Sequence, residues 1–322
     1  MSDTTPWVIE DANIYHAKKD HMSATQLKLL AQSARHYKKM YLDQIVIDTE
    51  DDEPTLSMRL GRMIHFYLLE PEVFREKYAF LPDKADERFK KALFTLEDLK
   101  AKCKEMELKS SGTKAELCER ILEVNSDILI WDRYITELTE GKEAITVERQ
   151  HMLLEIFDAV KTHPVALKLI KAGIPEVSGY WHDDEFGIDC KFRTDWINEK
   201  GYIVELKSTT DARKRKFFYK IKDMRYDIGA AWYVRGYKKL MNREPKGYVW
   251  MVVETKRPFS VACYTPDESL LSAGEFGWDG EDAPVGFREA LEVFKKTKES
   301  GAYPGFQTQV ETIDYKSYEK IY

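Results

Sequence analysis

A predicted β-hairpin in the second half of this chain constrains its fold more than any other feature. Residues 191–197 and 202–208 both favour strand, and Asn198 and Gly201 between them are residue types that tight turns prefer. The first strand carries an aspartate, and the second carries a glutamate and a lysine separated by one residue. Such a hairpin is a candidate active site.

Asp195, Glu205 and Lys207 are predicted to converge in this hairpin. Side chains alternate between the faces of a strand, so Glu205 and Lys207 point the same way. Asp195 and Glu205 also lie equally far from Lys200 along the folded-back chain. Apolar residues on both sides of Glu205 and Lys207 indicate a strand that is at least half buried. Charged side chains are rare at buried positions unless they are paired, so these two point to a specific role.

These residue types suit a metal-dependent phosphodiesterase. Two carboxylates offer hard oxygen ligands to Mg²⁺ or Mn²⁺, and such an ion polarises a phosphate and lowers the pKa of water. Lys207 then has two possible roles. It orients or deprotonates the attacking water, or it stabilises negative charge in the transition state. Surface ion pairs in an ordinary hairpin are the alternative that the bare spacing also allows.

Composition is that of an ordinary globular protein. The chain has 322 residues, 43% of them hydrophobic, and a formal net charge of −6, which argues against wholesale electrostatic wrapping of nucleic acid. Any DNA contact must therefore use local basic patches. Its four cysteines are scattered, which favours neither a zinc site nor a disulfide framework. No apolar run has the length of a membrane span, and we expect a cytoplasmic protein.

Helices are predicted on both sides of a SAP-like segment. The patterns favour a first helix near residues 23–42, a solvated acidic loop at 48–53, and helical segments at 56–69 and 146–171. His65 lies in the second of these helices. A lone histidine among apolar residues is usually a core residue, and metal or phosphate binding is the alternative.

Residues 93–127 resemble a SAP domain, a small DNA-binding module. The resemblance rests on two short helices joined by a glycine turn, with matching positions at Leu99, Leu108, Gly112, Lys114, Leu117 and Ile121. Lys109 and Lys114 would bind DNA phosphates weakly. The alternative is a helical hairpin that serves packing or protein contacts.

A basic segment directly follows the hairpin. Residues 210–225 contain seven basic and two acidic residues interleaved with three aromatics. The predicted phosphate contacts are Arg213, Lys214, Arg215, Lys216, Lys220 and Lys222. An exposed helix face with solubilising charge is the alternative. An amphipathic helix at 228–240 and a buried strand at 247–254, parallel to 202–208 through the helical crossover, complete a predicted α/β core.

A series of short sequence signatures follows along the chain, at residues 22–27 (MSATQL), 60–65 (LGRMIH), 70–71 (EP), 176–178 (EVS), 190–197 (CKFRTDWI), 203–209 (IVELKST), 253–258 (VETKRP) and 303–306 (YPGF). In these signatures and their order the chain as a whole resembles the PD-(D/E)XK nucleases, and within them the phage and prophage exonucleases of the RecE, exodeoxyribonuclease VIII type. The resemblance implies an α/β (α+β) restriction-endonuclease-like core with a mixed central sheet flanked by helices. The SAP-like helices would be an insertion.

The resemblance also implies roles for particular residues. Asp195 and Glu205 would bind Mg²⁺ or Mn²⁺, with His65 as an additional metal ligand and the backbone carbonyl of Leu206 as another. Lys207 would be the active-site lysine. Glu176, in one of the signatures, is a secondary candidate.

One departure concerns a Gln-x-x-x-Tyr element that this exonuclease group carries on the helix after the active-site strand. Tyr233 is kept and is a secondary candidate, but Gly229 stands at the glutamine position. Without that amide, nuclease activity is predicted to be reduced, retuned or absent. The scattered cysteines argue against the iron–sulfur subgroup of the superfamily.

These observations predict a Mg²⁺-dependent DNA exonuclease that acts on double-stranded ends, 5′ to 3′ by resemblance, in phage-type recombination. The predicted segments are 1–90 (N-terminal helices of the nuclease domain), 91–127 (SAP-like insertion) and 128–322 (nuclease core). The resemblance further implies a ring-shaped homo-oligomer around DNA and a single-strand annealing protein as partner. No membrane partner is expected, and a phage-encoded protein would act in the host cytoplasm. The alternatives are a catalytically weak or inactive DNA- or partner-binding protein of the same fold, and an endonuclease.

Overall fold

The computed structural model describes residues 6–43, 55–280, 283–306 and 308–310. The predicted acidic loop at 48–53 lies outside these residues. The chain divides into two compact units. The first unit comprises Met1–Leu56 and Val160–Tyr322, and the second comprises Ser57–Ala159. The predicted boundaries at residues 90 and 127 stay a prediction about domain organisation.

The elements of the described chain are the following. The helices are α1 (Ala12–Ala17), α2 (Ala24–Gln32), α3 (Ala34–Tyr41), α4 (Leu56–Leu69), α5 (Pro71–Lys77), α6 (Leu96–Glu105), α7 (Lys114–Val124), α8 (Trp131–Leu138), α9 (Val147–Thr162), α10 (Pro164–Ile170), α11 (Lys214–Met224), α12 (Tyr226–Met241), α13 (Glu268–Phe276) and α14 (Phe287–Ser300). The strands are β1 (Val8–Ile9), β2 (Tyr78–Phe80), β3 (Glu143–Ile145), β4 (Gly173–Asp183), β5 (Ile188–Asn198), β6 (Tyr202–Thr209), β7 (Gly247–Glu254) and β8 (Val261–Tyr264). A short 3₁₀ helix spans Glu87–Phe89.

The first unit is built on a six-stranded mixed sheet in the order β1-β4-β5-β6-β7-β8. Strands β6 and β7 are parallel, and every other neighbouring pair is antiparallel. Parallel neighbours need a crossover, which α11 and α12 supply, as the sequence predicted. Helices pack on the sheet through two apolar clusters, one around Phe192 and Trp232 and one around Ile203 and Trp250. The predicted α/β class with a mixed central sheet is confirmed.

Two long predicted helices are each interrupted. The segment predicted as one helix at 23–42 is α2 and α3, because Ser33 adopts an extended backbone (φ −172°, ψ 149°) and its Oγ accepts a hydrogen bond from the N–H of His36. The segment predicted at 146–171 is α9 and α10. Its break lies at His163, an extended residue before Pro164, where a proline disfavours helical backbone in the residue that precedes it. A capping side chain or a proline therefore divides each apolar pattern.

The second unit contains α4 to α8, most of α9, and a two-stranded parallel sheet of β2 and β3. The two short helices predicted in the SAP-like segment are α6 and α7. Thr95 and Thr113 cap them with reciprocal hydrogen bonds, and Gly112 takes the positive φ of 136° that the turn requires. Leu99, Leu117 and other apolar side chains bury the inner faces of the pair. The helices confirm the local prediction, and their identity as a SAP domain stays a prediction.

Two further observations concern the cysteines and the helices. All four cysteines are free thiols. Within the described parts of the chain, no helix combines the length and the apolar character that a membrane span requires.

Candidate active site on the β5–β6 hairpin

The predicted hairpin is present and its turn is held by a side chain. Asn198 Oδ1 accepts hydrogen bonds from the N–H groups of Lys200 and Tyr202, each at 3.0 Å. Gly201 provides the positive φ of 84°. An Asn side chain that accepts a hydrogen bond from the backbone two residues further on stabilises a turn. Here it sets the register of β5 and β6, the strands on either side of the turn.

This register places Asp195 opposite Glu205, because Trp196 pairs with Val204. The backbone N–H of Asp195 donates to Glu205 Oε1 at 3.2 Å, and the N–H of Leu206 donates to Asp195 Oδ2 at 2.7 Å. The two carboxylates therefore each accept a hydrogen bond from the neighbouring strand. The predicted convergence of these acids is observed.

Lys207 joins both acids. Its Nζ lies 2.9 Å from Glu205 Oε2 and 3.9 Å from Asp195 Oδ2. Since residues two apart on a strand share a face, this contact follows from the sequence spacing. The side chains of Lys207 and Asp195 are each 21% exposed, whereas the side chain of Glu205 is only 7% exposed. The group is therefore half sheltered from water rather than a surface ion pair.

Burial and charge shift the pKa values of this group. Burial raises the pKa of the Glu205 carboxyl, the negative charge of Asp195 acts in the same direction, and Lys207 only partly offsets them. Burial disfavours the ammonium of Lys207, but the carboxylates of Glu205 and Asp195 outweigh it and raise the pKa of Lys207 above its usual range. Lys207 is therefore charged at neutral pH, beside an acid pair that one ammonium does not fully compensate.

Glu176 on β4 is the third carboxylate of the site. Its position faces Asp195 across the β4–β5 ladder, between the pairs Pro175–Trp196 and Val177–Thr194. One oxygen of Glu176 and one of Asp195 lie within 4.8 Å of each other. Glu176 also has a left-handed backbone (φ 51°), a strained conformation for a non-glycine residue that costs about 1–3 kcal/mol and occurs preferentially at functional sites.

Arg193 fixes the direction of the Glu176 side chain. Its Nε donates to Glu176 Oε2, and its Nη1 donates to the carbonyl of Glu10 at 2.9 Å. The arginine therefore connects Glu176 to the residues just before α1. The structure places this secondary candidate next to Asp195, so Glu176 is a candidate metal ligand together with the predicted acids.

The two remaining predicted metal-site residues are His65 and Leu206. His65 lies on α4 in the second unit, where its Nδ1 is 3.5 Å from Glu70 Oε2. Its metal role stays a prediction. Leu206 is buried between the two charged residues of β6, and the role of its carbonyl also stays a prediction.

The predicted basic segment forms α11 with its flanking residues. Lys214, Arg215 and Lys216 are exposed in the first turn. Lys220 points inward and donates to the carbonyl of Ser208 at 2.9 Å. Arg213 pairs with Asp211, Arg215 lies over the ring of Tyr219, and Lys222 lies over the ring of Trp278.

The aromatic residues of this segment divide between core and surface. Phe217 is buried in the core, and Phe218 is 43% exposed. In the second unit, Lys109 is exposed, while Lys114 pairs with Asp132. Of the predicted phosphate contacts, the first turn of α11 and Lys109 therefore present the most accessible charge.

A residue that the sequence did not single out lies beside Gly229 on α12. Lys28, on α2, places its Nζ 3.5 Å from where a Cβ at position 229 would stand. Tyr233, one turn further along α12, is partly buried, and burial followed by the nearby Glu205 raises its pKa well above the usual value. The sequence signal for Lys28 was its position directly after the 22–27 signature.

Comparison with known proteins places this geometry in a family. A family model described as "PDDEXK-like domain of unknown function (DUF3799)" matches residues 23–277. The chain belongs to this family. The resemblance to the PD-(D/E)XK nuclease superfamily is thereby confirmed, while the RecE-like assignment stays a prediction.

One solved structure agrees with the fold of this PDDEXK-like protein. A crystal structure named "Putative exonuclease", from Eubacterium rectale, matches with a TM-score of 0.54 at 10% identity, over 95% of this chain and 97% of that one. A second structure, named SSO0001, also has 10% identity and covers 77% of this chain and 87% of its own, but its TM-score of 0.27 carries no argument. No curated protein matches the chain.

PD-(D/E)XK nucleases generally use divalent metal ions, and the donor set of this PDDEXK-like site fits one. Glu176, Asp195 and Glu205 offer carboxylate oxygens, which are the ligands that Mg²⁺ and Mn²⁺ prefer. Repulsion between Asp195 and Glu205 contributes to the raised pKa of Glu205, and a bound cation would relieve it. The identity of the ion belongs to the proposal that follows.

Proposed function

We propose that this PDDEXK-like protein is a Mg²⁺-dependent exonuclease that hydrolyses phosphodiester bonds from double-stranded DNA ends. The observation that carries the proposal is the contact of Lys207 with both Asp195 and Glu205 on adjacent strands of the family's fold. Digestion from 5′ to 3′ and a place in phage-type recombination are supported by the sequence resemblance. Mn²⁺ would serve as a substitute ion.

Each residue of the site has a proposed role in hydrolysis. Asp195 and Glu205, with Glu176 and His65 as further ligands, would hold the ion, which supplies a Lewis acid for the phosphate when it is bound. The charged Lys207 stands beside these acids and stabilises negative charge that develops on the scissile phosphate. The half-buried setting strengthens this interaction, because charges attract more strongly where water is excluded.

One comparison of substrates tests the proposed function. Purified protein with Mg²⁺ is expected to digest a linear duplex progressively from its ends and to leave a covalently closed circle intact. Release of a 5′-terminal label before a 3′-terminal label gives the direction. Cutting of the closed circle would instead identify an endonuclease, and absence of Mg²⁺- or Mn²⁺-dependent cleavage on both substrates would overturn the proposal.

A second candidate function is favoured by Gly229, which lacks the amide expected at that position. In this alternative the protein keeps the nuclease fold and binds DNA or a partner without cleaving DNA. It predicts retention of linear duplex in a gel-shift assay with no product in Mg²⁺ or Mn²⁺. The assay with linear and closed substrates separates the two candidates.

Assembly is a further part of the proposal. The sequence resemblance supports a ring of identical subunits around DNA and a single-strand annealing protein as partner. A solution mass equal to that of one chain, with and without duplex DNA, would contradict the ring.

The first turn of α11 is expected to contact DNA phosphates. Replacing both Lys214 and Lys216 by alanine should weaken duplex binding and reduce the slope of log K against log salt by about 0.9 for each phosphate that is no longer neutralised. Fluorescence anisotropy at a series of salt concentrations measures both effects. The matched control replaces Lys296 and Lys298, two exposed lysines on α14, and an equal change in slope for both pairs would contradict a role specific to α11.

A further inference from the structure

Gly229 occupies an unusual place for a glycine. It lies inside α12, where glycine destabilises a helix by about 0.5–1 kcal/mol relative to alanine, and its neighbours from Asp227 to Trp232 are all buried. A Cβ at this position would lie 3.5 Å from Lys28 Nζ and 3.8 Å from Lys28 Cε. Apart from Lys28 and its own neighbours along α12, no described residue comes within 4 Å of that Cβ. An alanine would fit, but a longer side chain would meet the lysine.

The ammonium of Lys28 therefore lies within reach of a side chain at position 229, and a glutamine that extends toward α2 would meet it. In that orientation the two polar groups are alternatives for one location. With lysine in place of glutamine, an amide that both donates and accepts hydrogen bonds is replaced by a positively charged donor, the ammonium of Lys28. A glycine at 229 is then the residue that makes room for the lysine.

The helix that carries Lys28 is held firmly in the first unit. The backbone of Met22, just before α2, bonds twice to β5: its N–H donates to the carbonyl of Asp189 and its carbonyl accepts from the N–H of Lys191, each at 2.8 Å. Ser23 and Gln26 close a capping box at the start of the helix. Leu27 is fully buried in the cluster that includes residues of α12. These contacts fix the backbone from which the Lys28 side chain extends.

The surroundings of Lys28 favour an anion. Its Nζ lies 5.3 Å from the ring centroid of Tyr226, and Lys207 Nζ lies 5.4 Å from the same centroid. Among the residues that the structure describes, Lys28 Nζ forms no hydrogen bond or ion pair, although Glu205 and Asp227 are near enough to influence its charge. Burial and repulsion from Lys207 lower the pKa of Lys28 to about 8. Because Lys207 is paired with the hairpin acids, Lys28 is the ammonium to which a phosphate oxygen would give a hydrogen-bond partner.

We propose that Lys28 is a phosphate-binding residue of the nuclease site and that it takes the place of the glutamine missing at position 229. The proposal rests on the proposed function for its substrate, duplex DNA. Lys28 donates a hydrogen bond to a phosphate oxygen next to the scissile bond, while Lys207 stands beside the metal-binding acids. The departure at Gly229 is then an exchange of one polar group for another rather than a loss.

Four variants test the exchange. Lys28→Met removes the charge with little change of shape, and cleavage of linear duplex is expected to fall about 10²–10³-fold, as for loss of one preorganised donor. Gly229→Gln alone should also reduce cleavage, because its side chain competes with the lysine for space. The double variant Lys28→Ala/Gly229→Gln should cleave at least tenfold faster than Lys28→Ala, since the amide returns to a vacated space. The matched control is Lys296→Met on α14.

A second measurement keeps the test independent of catalysis. Binding of a 5′-phosphorylated duplex in Ca²⁺ should weaken roughly tenfold in Lys28→Met, from loss of a hydrogen bond to a charged group, with no change in Lys296→Met. Wild-type binding and cleavage by Lys28→Met would overturn the proposal, as would a double variant no better than Lys28→Ala. If the wild type does not cleave in Mg²⁺, the proposed function fails, and the binding measurement still decides the role of Lys28.

Discussion

Replacing Lys207 by alanine is expected to reduce Mg²⁺-dependent digestion of linear duplex DNA by about 10³-fold or more, and Glu205→Ala is expected to do the same. The ammonium of Lys207 forms ion pairs with both hairpin acids, and its removal deprives the site of that charge. Glu205 is the most buried of the acids, and its replacement removes an oxygen ligand that water does not reproduce in the same geometry. Initial rates with a labelled linear duplex measure both losses.

The matched control for this prediction is Lys200→Ala. Lys200 is an exposed lysine in the turn of the same hairpin, and it contributes to the turn through its backbone N–H only. Its variant should retain wild-type activity, and all three variants should melt within a few degrees of the wild type. Residual activity of Lys207→Ala close to that of Lys200→Ala would remove the hairpin from the proposed mechanism.

Replacing Asp183 by alanine is expected to destabilise the first unit by about 3 kcal/mol, which is the lower end of the range for breaking a buried ion pair. Asp183, at the end of β4, is fully buried and accepts two hydrogen bonds from Arg235 of α12, at 2.7 and 2.9 Å. The value is at the lower end because Arg235 keeps a second partner, Glu185, at 2.6 Å. Chemical denaturation at pH 7 measures the change in the free energy of unfolding.

The same pair predicts a pH dependence. Burial alone would raise the pKa of Asp183, but the hydrogen bonds and the charge of Arg235 outweigh it and hold the pKa below its usual value. A carboxylate with a lowered pKa in the folded state stabilises the protein above its unfolded pKa of about 3.9, and this stabilisation is lost as the pH falls through the folded pKa. The difference between wild type and Asp183→Ala should therefore shrink in acid.

An exposed pair provides the comparison for Asp183. Glu244 pairs with Lys238 at the surface, and both side chains are largely exposed. Glu244→Ala should change the free energy of unfolding by about 0.2–1 kcal/mol at most. Equal effects of Glu244→Ala and Asp183→Ala would show that the Arg235 pair does not stabilise the fold as argued.

The hairpin was predictable because two local rules determine it. Strand side chains repeat with a period of two, and Asn198 with Gly201 fixes the turn, so the register that aligns Asp195 with Glu205 follows from the sequence. The parallel pairing of β6 with β7 was predictable for a similar reason, because a helical segment separates them. Both inferences depend on residues close together in the chain.

Three other features were not predictable from these two local rules. The break at Ser33 depends on a competition between one side-chain cap and the continuation of a helix. Gly229 was interpreted as a lost amide, because a sequence shows the missing group and not the Lys28 side chain that fills its space. The strained backbone of Glu176 has no signal in residue type, since glutamate rarely adopts a positive φ.

The ends of the six-stranded sheet limit how copies of this protein can join. Its outer strands are β1, with two residues, and β8, with four. Edge strands this short offer few backbone groups to another chain and discourage strand-to-strand aggregation. A ring of subunits is therefore not expected to form by pairing β1 or β8 of one copy with a strand of the next.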